Sequence, residues 1–158
     1  MSSKPSSPVI DPETAPKRVG SAYPPEFAGP CAGRTKRQLG NAAGLTNFGV
    51  NLTELPPGGW SSQRHWHEKQ DEFIYIVEGE AILVTDSGET LLKPGMCAGF
   101  PAGKPDGHHL INRSDRPVKY LEIGDRTAND AAHYPDIDLQ VKLVDGQWSY
   151  SRRDGTKF

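Results

Sequence analysis

The 158-residue chain has only two cysteines, Cys31 and Cys97, and they stand far apart. That count excludes a disulfide framework, and both read as small buried or indifferent side chains. No stretch approaches the roughly 18 successive apolar residues of a membrane-spanning helix. The first 18 residues have no apolar core, so they do not read as a secretory signal. Without an export signal, a reducing cytoplasm is the expected compartment. Neither sign of charge is in excess: 18 Lys and Arg stand against 20 Asp and Glu, a net charge of −2. That balance offers no basic face for nucleic acid. Also missing is any sustained 3.6-residue apolar period. The best helical candidate, residues 127–133, is barely two turns long.

Glycine and proline, in contrast, are plentiful, at 17 and 14 residues. They are scattered rather than periodic, which points to many turns between short strands. Prolines crowd residues 1–33, where they exclude helix and interior strand. This segment reads as a proline-rich arm, with its first 15–18 residues poorly ordered. Residues 23–30 are expected to pack across the domain or onto a partner subunit. From residue 34 the apolar residues recur in short runs: 45–55, 60–67, 72–78, 81–85, 90–92, 96–100, 108–112, 118–123, 139–144 and 147–151. Asp86-Ser87-Gly88 and Asp145-Gly146 read as hairpin turns. Residues 72–78 (EFIYIVE) are apolar on both faces and so read as a central strand. These features predict one all-β domain over 34–151, a sandwich or barrel, with a tail at 152–158.

The chemistry centres on His65-Trp66-His67. Residues two apart on a strand share a face, so both imidazoles enter one space while Trp66 points away and packs on the outside. Imidazole suits any of the later divalent transition metals. After a polar connection, Glu72 opens the next strand, which is expected to run antiparallel beside the His65 strand. A carboxylate at the head of a buried strand needs a partner, and a cation is one. Strand parity leaves Asp71 as the competing candidate. His133, alone in a loop, does not read as a ligand.

The spacing of these residues resembles the two motifs of the cupin family. The first, G-x5-HxH-x4-E-x6-G, runs here from Gly59 through His65, His67 and Glu72 to Gly79. The second, G-x5-PxG-x2-H-x3-N, runs from Gly95 through Pro101, Gly103 and His108 to Asn112, with four residues in place of two before the histidine. His108 keeps the family's gap to Asn112, whereas His109 would face the other side of the strand. The resemblance covers residues 44–123. The flanks LTNFGVNL and HYPDIDL are similar to small bacterial single-domain cupins of mostly unassigned activity. It implies a double-stranded β-helix, or jelly roll, with His65, His67, Glu72 and His108 around a divalent Mn, Fe, Co, Ni or Zn ion. It also implies a homodimer.

Four such ligands would close a tetrahedral zinc site but leave two open positions in an octahedral one. One carboxylate against a 2+ ion favours anionic, oxygen-rich ligands, with the metal as Lewis acid and template. By parity Gln63 and Ser61 share the face of the histidines, and Ile74 and Ile76 that of Glu72. Asn112 shares the face of His108 and is a candidate for orienting a ligand. Tyr120 and Glu122 share a face on a later strand. Gln63 and Tyr120 are candidate substrate contacts, and Glu122 is a candidate general base. The expected function is a metal-dependent enzyme of oxygenase, decarboxylase, lyase or isomerase type, acting on an organic acid or sugar derivative. The alternatives are a non-catalytic metal-dependent binding or sensing protein, and a barrel in which the metal is only structural.

Overall fold

The computed structural model describes residues 7–158. In chain order it contains a 3-10 turn at Pro12–Thr14, β1 (Lys17–Val19), α1 (Pro25–Ala28), a 3-10 turn at Gly29–Cys31, β2 (Thr35–Gln38), α2 (Leu39–Ala42) and β3 (Phe48–Leu55). There follow β4 (Trp66–His67), β5 (Glu72–Glu78), β6 (Ala81–Thr85), β7 (Gly88–Leu92), β8 (Cys97–Phe100) and β9 (His109–Ile111). The chain ends with β10 (Val118–Asp125), β11 (Ala131–His133), β12 (Gln140–Val144) and β13 (Gln147–Ser151). Among the described residues, no helix is long and apolar enough to cross a membrane.

One wall is a six-stranded antiparallel sheet in the order β1-β2-β3-β10-β5-β8. The other is interrupted, with β13-β12-β11-β4 on one side and β7-β6-β9 on the other. The bridges Trp60–Ile111 and His65–His108 join its two parts. Together the walls form the all-β double-stranded β-helix expected from the sequence. Alternation along β3, β5 and β10 sends Leu55, Ile74, Ile76, Val118 and Tyr120 inward, where they meet Leu92 and Leu110 of the opposite wall. A second cluster of Tyr134, Leu139 and Val141 receives Tyr23 and Phe27 from the arm. The arm therefore packs across its own domain.

Several expectations change. Residues 1–6, part of the segment expected to be poorly ordered, lie outside the described residues. Beyond them, prolines do not keep the arm free of helix. Pro25 starts α1, where a missing N–H has no helical partner to lose. β1 is a strand, but an edge strand, which proline-rich flanks permit. Residues 60–67 are mostly bent, and only Trp66–His67 forms a strand. Residues 127–133 are not helical. Asn129 takes a left-handed turn (φ 57°), and Ala131–His133 then pairs with both β12 and β4. Tertiary pairing here overrides a weak local preference. Nor do β4 and β5 lie side by side: β4 pairs with β11, whereas β5 pairs with β10 and β8. The connection at 68–71 carries the chain from one wall to the other. The Asp145-Gly146 hairpin is as expected, with positive φ at both residues (49° and 75°) and Val144 paired to Gln147, as a type I′ turn requires.

Asn112 does not orient a metal ligand. Fully buried, it donates to the carbonyls of Leu55 (3.0 Å) and Arg116 (2.7 Å) and accepts from the Ser114 amide and hydroxyl. It pins the loop before β10 to the end of β3. Asn112→Ala would leave the buried Leu55 carbonyl without this donor and loosen the 112–116 loop, and we expect it to lower unfolding stability by about 1–3 kcal/mol in urea titrations.

Candidate metal centre

Three imidazoles converge on one carboxylate. His108 Nε2 lies 2.6 Å from Glu72 Oε2. His65 Nε2 lies 3.4 Å from the same oxygen, and His67 Nε2 lies 3.5 Å from Oε1. The bend at 61–65 and β4 present the first two histidines, β9 is preceded by the third, and the head of β5 supplies Glu72 from the opposite wall. The site is thus a junction between walls rather than a cross-strand pair.

The far sides of the rings are also determined. His65 Nδ1 donates to the Gln63 carbonyl oxygen at 2.9 Å, so Nε2 is the nitrogen that faces Glu72. His67 Nδ1 meets Asp130 Oδ2 at 2.5 Å. The other oxygen of Asp130 accepts the Lys69 amide at 2.8 Å. Asp130 is itself buried and sits just before β11. It orients His67 from behind, as carboxylates do for metal-binding histidines. No motif in the sequence marks it. The His108 ring stacks on Phe100 with centroids 3.6 Å apart, and its Nδ1 is buried without a hydrogen-bond partner.

The two open alternatives separate clearly in space. Asp71 accepts the Ala102 amide at 2.7 Å and serves the neighbouring loop. His109 Nδ1 donates to the Ser62 carbonyl at 2.9 Å, and its ring packs edge-on against Trp60. Trp66 stacks on His133 with centroids 4.5 Å apart, and His133 pairs with Glu68.

The donor set fits a divalent transition metal. His65, His67 and Glu72 each offer one ligand atom within 4.8 Å of the others, and His108 Nε2 adjoins the same carboxylate. Imidazole nitrogens with a carboxylate oxygen suit Mn, Fe, Co, Ni and Zn alike. Electrostatics within the protein alone are consistent with this. Burial drives the Glu72 carboxyl upward, but the surrounding imidazoles win and hold it well below the usual carboxylate range. Burial lowers His67, yet Glu72 and Asp130 outweigh it and raise the imidazole to about 9. Burial keeps His108 below its ordinary value.

Two cavities have both His67 and Glu72 on their walls. One, of about 300 Å³, is lined by Trp66, His67, Glu72, Phe100, Lys104 and His108 among others. The larger, of about 680 Å³, lies under the arm and has His65, His67, Glu72, Glu122 and several basic residues on its wall. Glu122, on the inner face of β10, accepts from Lys36 Nζ (2.6 Å) and Asn51 Nδ2 (3.2 Å). Burial would raise its carboxyl, but the Lys36 ammonium holds it below its ordinary value. Nothing in the sequence marks Lys36, because β2 is wholly polar, and Asn51, though within LTNFGVNL, has no spacing that ties it to Glu122. Gln63 lines neither large cavity. Its side chain donates to the Phe27 carbonyl at 2.8 Å and fastens the arm. Tyr120 backs the cluster beside a space of only about 20 Å³, room for a water molecule rather than a metabolite.

The Cupin domain family matches residues 51–124. A crystal structure of a sugar phosphate isomerase of the cupin superfamily from Silicibacter pomeroyi is 43% identical and covers 95% of this chain and 96% of its own, with a TM-score of 0.91. A second, provisionally named sugar phosphate isomerase from Acidithiobacillus ferrooxidans is 27% identical over 80% of this chain and 81% of its own (TM-score 0.73). A predicted oxalate decarboxylase from Thermotoga maritima, 18% identical over 75% of this chain and 99% of its own (TM-score 0.61), shares the fold. No curated protein matches the sequence. The chain belongs to the cupin superfamily.

His67 holds its proton up to about pH 9, and a metal must displace that proton to bind. Apparent metal affinity should therefore rise about tenfold per pH unit until that value is reached and then level off. Asp130→Asn should weaken binding by about 10–100-fold and move the break to lower pH. Chelator-competition titrations of Mn(II) or Zn(II) between pH 6 and 9.5 would measure both effects.

Proposed function

We propose that this protein is a metal-dependent cupin enzyme acting on a small, oxygen-rich anionic metabolite, and specifically an isomerase of sugar phosphates. The observation that carries this reading is the composition of the large cavity, where the His and Glu cluster faces Glu122 across a wall bearing Arg18, Lys36 and Arg126. The 43% identity to a protein described as a sugar phosphate isomerase supports the same class. His65, His67, Glu72 and His108 would hold the ion. Such an ion supplies Lewis acidity to a carbonyl and the adjacent hydroxyl of a sugar.

Glu122 supplies the proton movement. Aldose–ketose conversion takes a proton from C2 and returns it to C1, while a hydroxyl proton passes from O2 to O1, with no net redox change. A single carboxylate beside both carbons can carry the first proton. Lys36 keeps Glu122 ionised and fixed in place before substrate arrives. The apolar inner face around Ile74 and Tyr120 limits water behind the reacting carbons.

The wild type should contain about one Mn, Fe, Co, Ni or Zn ion per chain by elemental analysis, and the His65→Ala/His67→Ala variant should contain none. His109→Ala should keep its metal. With metal present, the wild type should interconvert an aldose phosphate and its ketose. Glu122→Gln should retain metal but lose between about a hundredfold and ten-thousandfold in kcat. A metal-loaded wild type that binds pentose and hexose phosphates without turnover would overturn the enzyme reading and favour a binding or sensing role.

The homodimer is proposed to form through the outer face of the six-stranded sheet. There Phe73, Tyr75 and Val77 of β5 stand 39–48% exposed, beside Leu121 and Ile123 of β10. An apolar face of this kind on a sheet is an association site. Sedimentation should give a dimer for the wild type and a monomer for Tyr75→Glu. A monomeric wild type would reject the proposal.

A further inference from the structure

The larger cavity has four cations on its wall: Arg18, Arg34, Lys36 and Arg126. Two are committed to the protein. Arg34 donates to the carbonyls of Gly20 and Ser61, and Lys36 is paired with Glu122. Arg18 and Arg126 take part in none of the ion pairs of the described residues. The two occupy different places. Arg18 is on edge strand β1, two strands beyond β3. Arg126 follows β10 directly and lies over Gly49 of β3.

The sheet between Glu72 and Arg126 is bare. In register, Glu72 of β5 lies opposite Gly124 of β10, and Gly124 lies opposite Gly49 of β3. Gly124 and Gly49 share the inward face with Glu122 and Asn51, two residues along their strands. Neither residue needs glycine for its backbone, since neither has a positive φ. Their lack of side chains leaves a groove that starts at the metal cluster and runs across two strand spacings, about 10 Å. The Arg126 guanidinium closes its far end. A Cβ built on Gly49 would lie 3.9 Å from Arg126 Nε and Nη2. Arg126 is held there by its amide, which donates to the Asn47 carbonyl (3.1 Å), and by Nη2, which donates to Asn41 Oδ1 on α2. The nearby Asp125 makes no ion pair with it; its two oxygens accept the amides of Asp71 (2.8 Å) and Thr127 (2.9 Å).

We infer that Arg126 is the specificity residue for the substrate's phosphate, which it binds at the far end of the groove floored by Gly49 and Gly124. This rests on the sugar phosphate reading. A sugar with its carbonyl end at the cluster lies along the bare floor, and its terminal phosphate reaches the guanidinium. The span of about 10 Å is on the order of an extended five- or six-carbon sugar phosphate with its metal contact. A guanidinium with free N–H groups recognises a phosphate by a forked pair of hydrogen bonds. Arg18, farther off, attracts the anion into the cavity without touching it.

The test uses calorimetric titration of metal-loaded protein with ribose 5-phosphate, ribose and inorganic phosphate. Arg126→Gln should lose about tenfold or more in affinity for ribose 5-phosphate and none for ribose, and Arg126→Lys should recover part of the loss. Arg18→Gln should cost about threefold or less, and that loss should vanish at high salt. Gly49→Ala should fold, since its Cβ meets neighbours only at 3.8–3.9 Å, and should weaken ribose 5-phosphate more than inorganic phosphate. Wild-type affinity for ribose 5-phosphate in Arg126→Gln would overturn the assignment and leave the isomerase reading intact. If no sugar phosphate binds the wild type, the isomerase reading falls and inorganic phosphate decides the subsite. The assignment then stands if the wild type binds phosphate and Arg126→Gln does not, and is rejected if the two behave alike.

Discussion

The Glu72 carboxylate, 20% exposed and touched by three imidazoles, is the constraint on which the rest of the structure depends. A carboxylate taken out of water costs several kcal/mol unless it is compensated. Both of its oxygens are compensated here, Oε1 by His67 and Oε2 by His65 and His108. Each imidazole comes from a segment that has no hydrogen-bonded pairing with β5. The two walls must therefore close to a fixed separation for the carboxylate to be satisfied, and a divalent cation would be gripped by the same closure.

That closure rests on a second layer of contacts. Asp130 reaches His67 from the turn before β11, and β11 pairs directly with β4. His65 is steadied by the bent backbone at Gln63, and Gln63 is itself fastened to the arm through Phe27. The arm is thus coupled to the cluster through Gln63, which donates to both Phe27 and Tyr23 of the arm and accepts from His65. Its strand β1 extends the sheet that carries Glu122, and so it roofs the larger cavity.

The inner face of the six-stranded sheet changes character along its length. Ile74, Ile76, Val118 and Tyr120 make it dry behind the cluster. Glu122, Asn51 and Lys36 make it polar beside the cluster, and Gly49 and Gly124 then leave it bare. Apolar core, Glu122 and the bare glycine groove lie in sequence on one surface because strand alternation keeps these residues on the same side.

Much of this was legible in the sequence. Short apolar runs with glycine and proline turns pointed to a sandwich or barrel; strand spacing put His65 and His67 on one face, and the resemblance to the cupin motifs added Glu72 and His108, which the structure brings beside them. Those signals are local, spanning a few residues with a fixed backbone period. Other features were not legible. Asp130 lies 63 residues from the histidine it orients, and Lys36 lies 86 residues from Glu122. No period or motif connects such distances. Gln63, placed by parity beside the histidines, turns instead to the arm because residues 60–65 bend out of strand geometry. The weak helical candidate at 127–133 ends instead in strand β11, because β4 and β12 both offer it edges. The sequence by itself determined which residues can form strands and which side chains can bind a metal. Only the tertiary structure decided which strands pair, and pairing alone sets which distant charges meet.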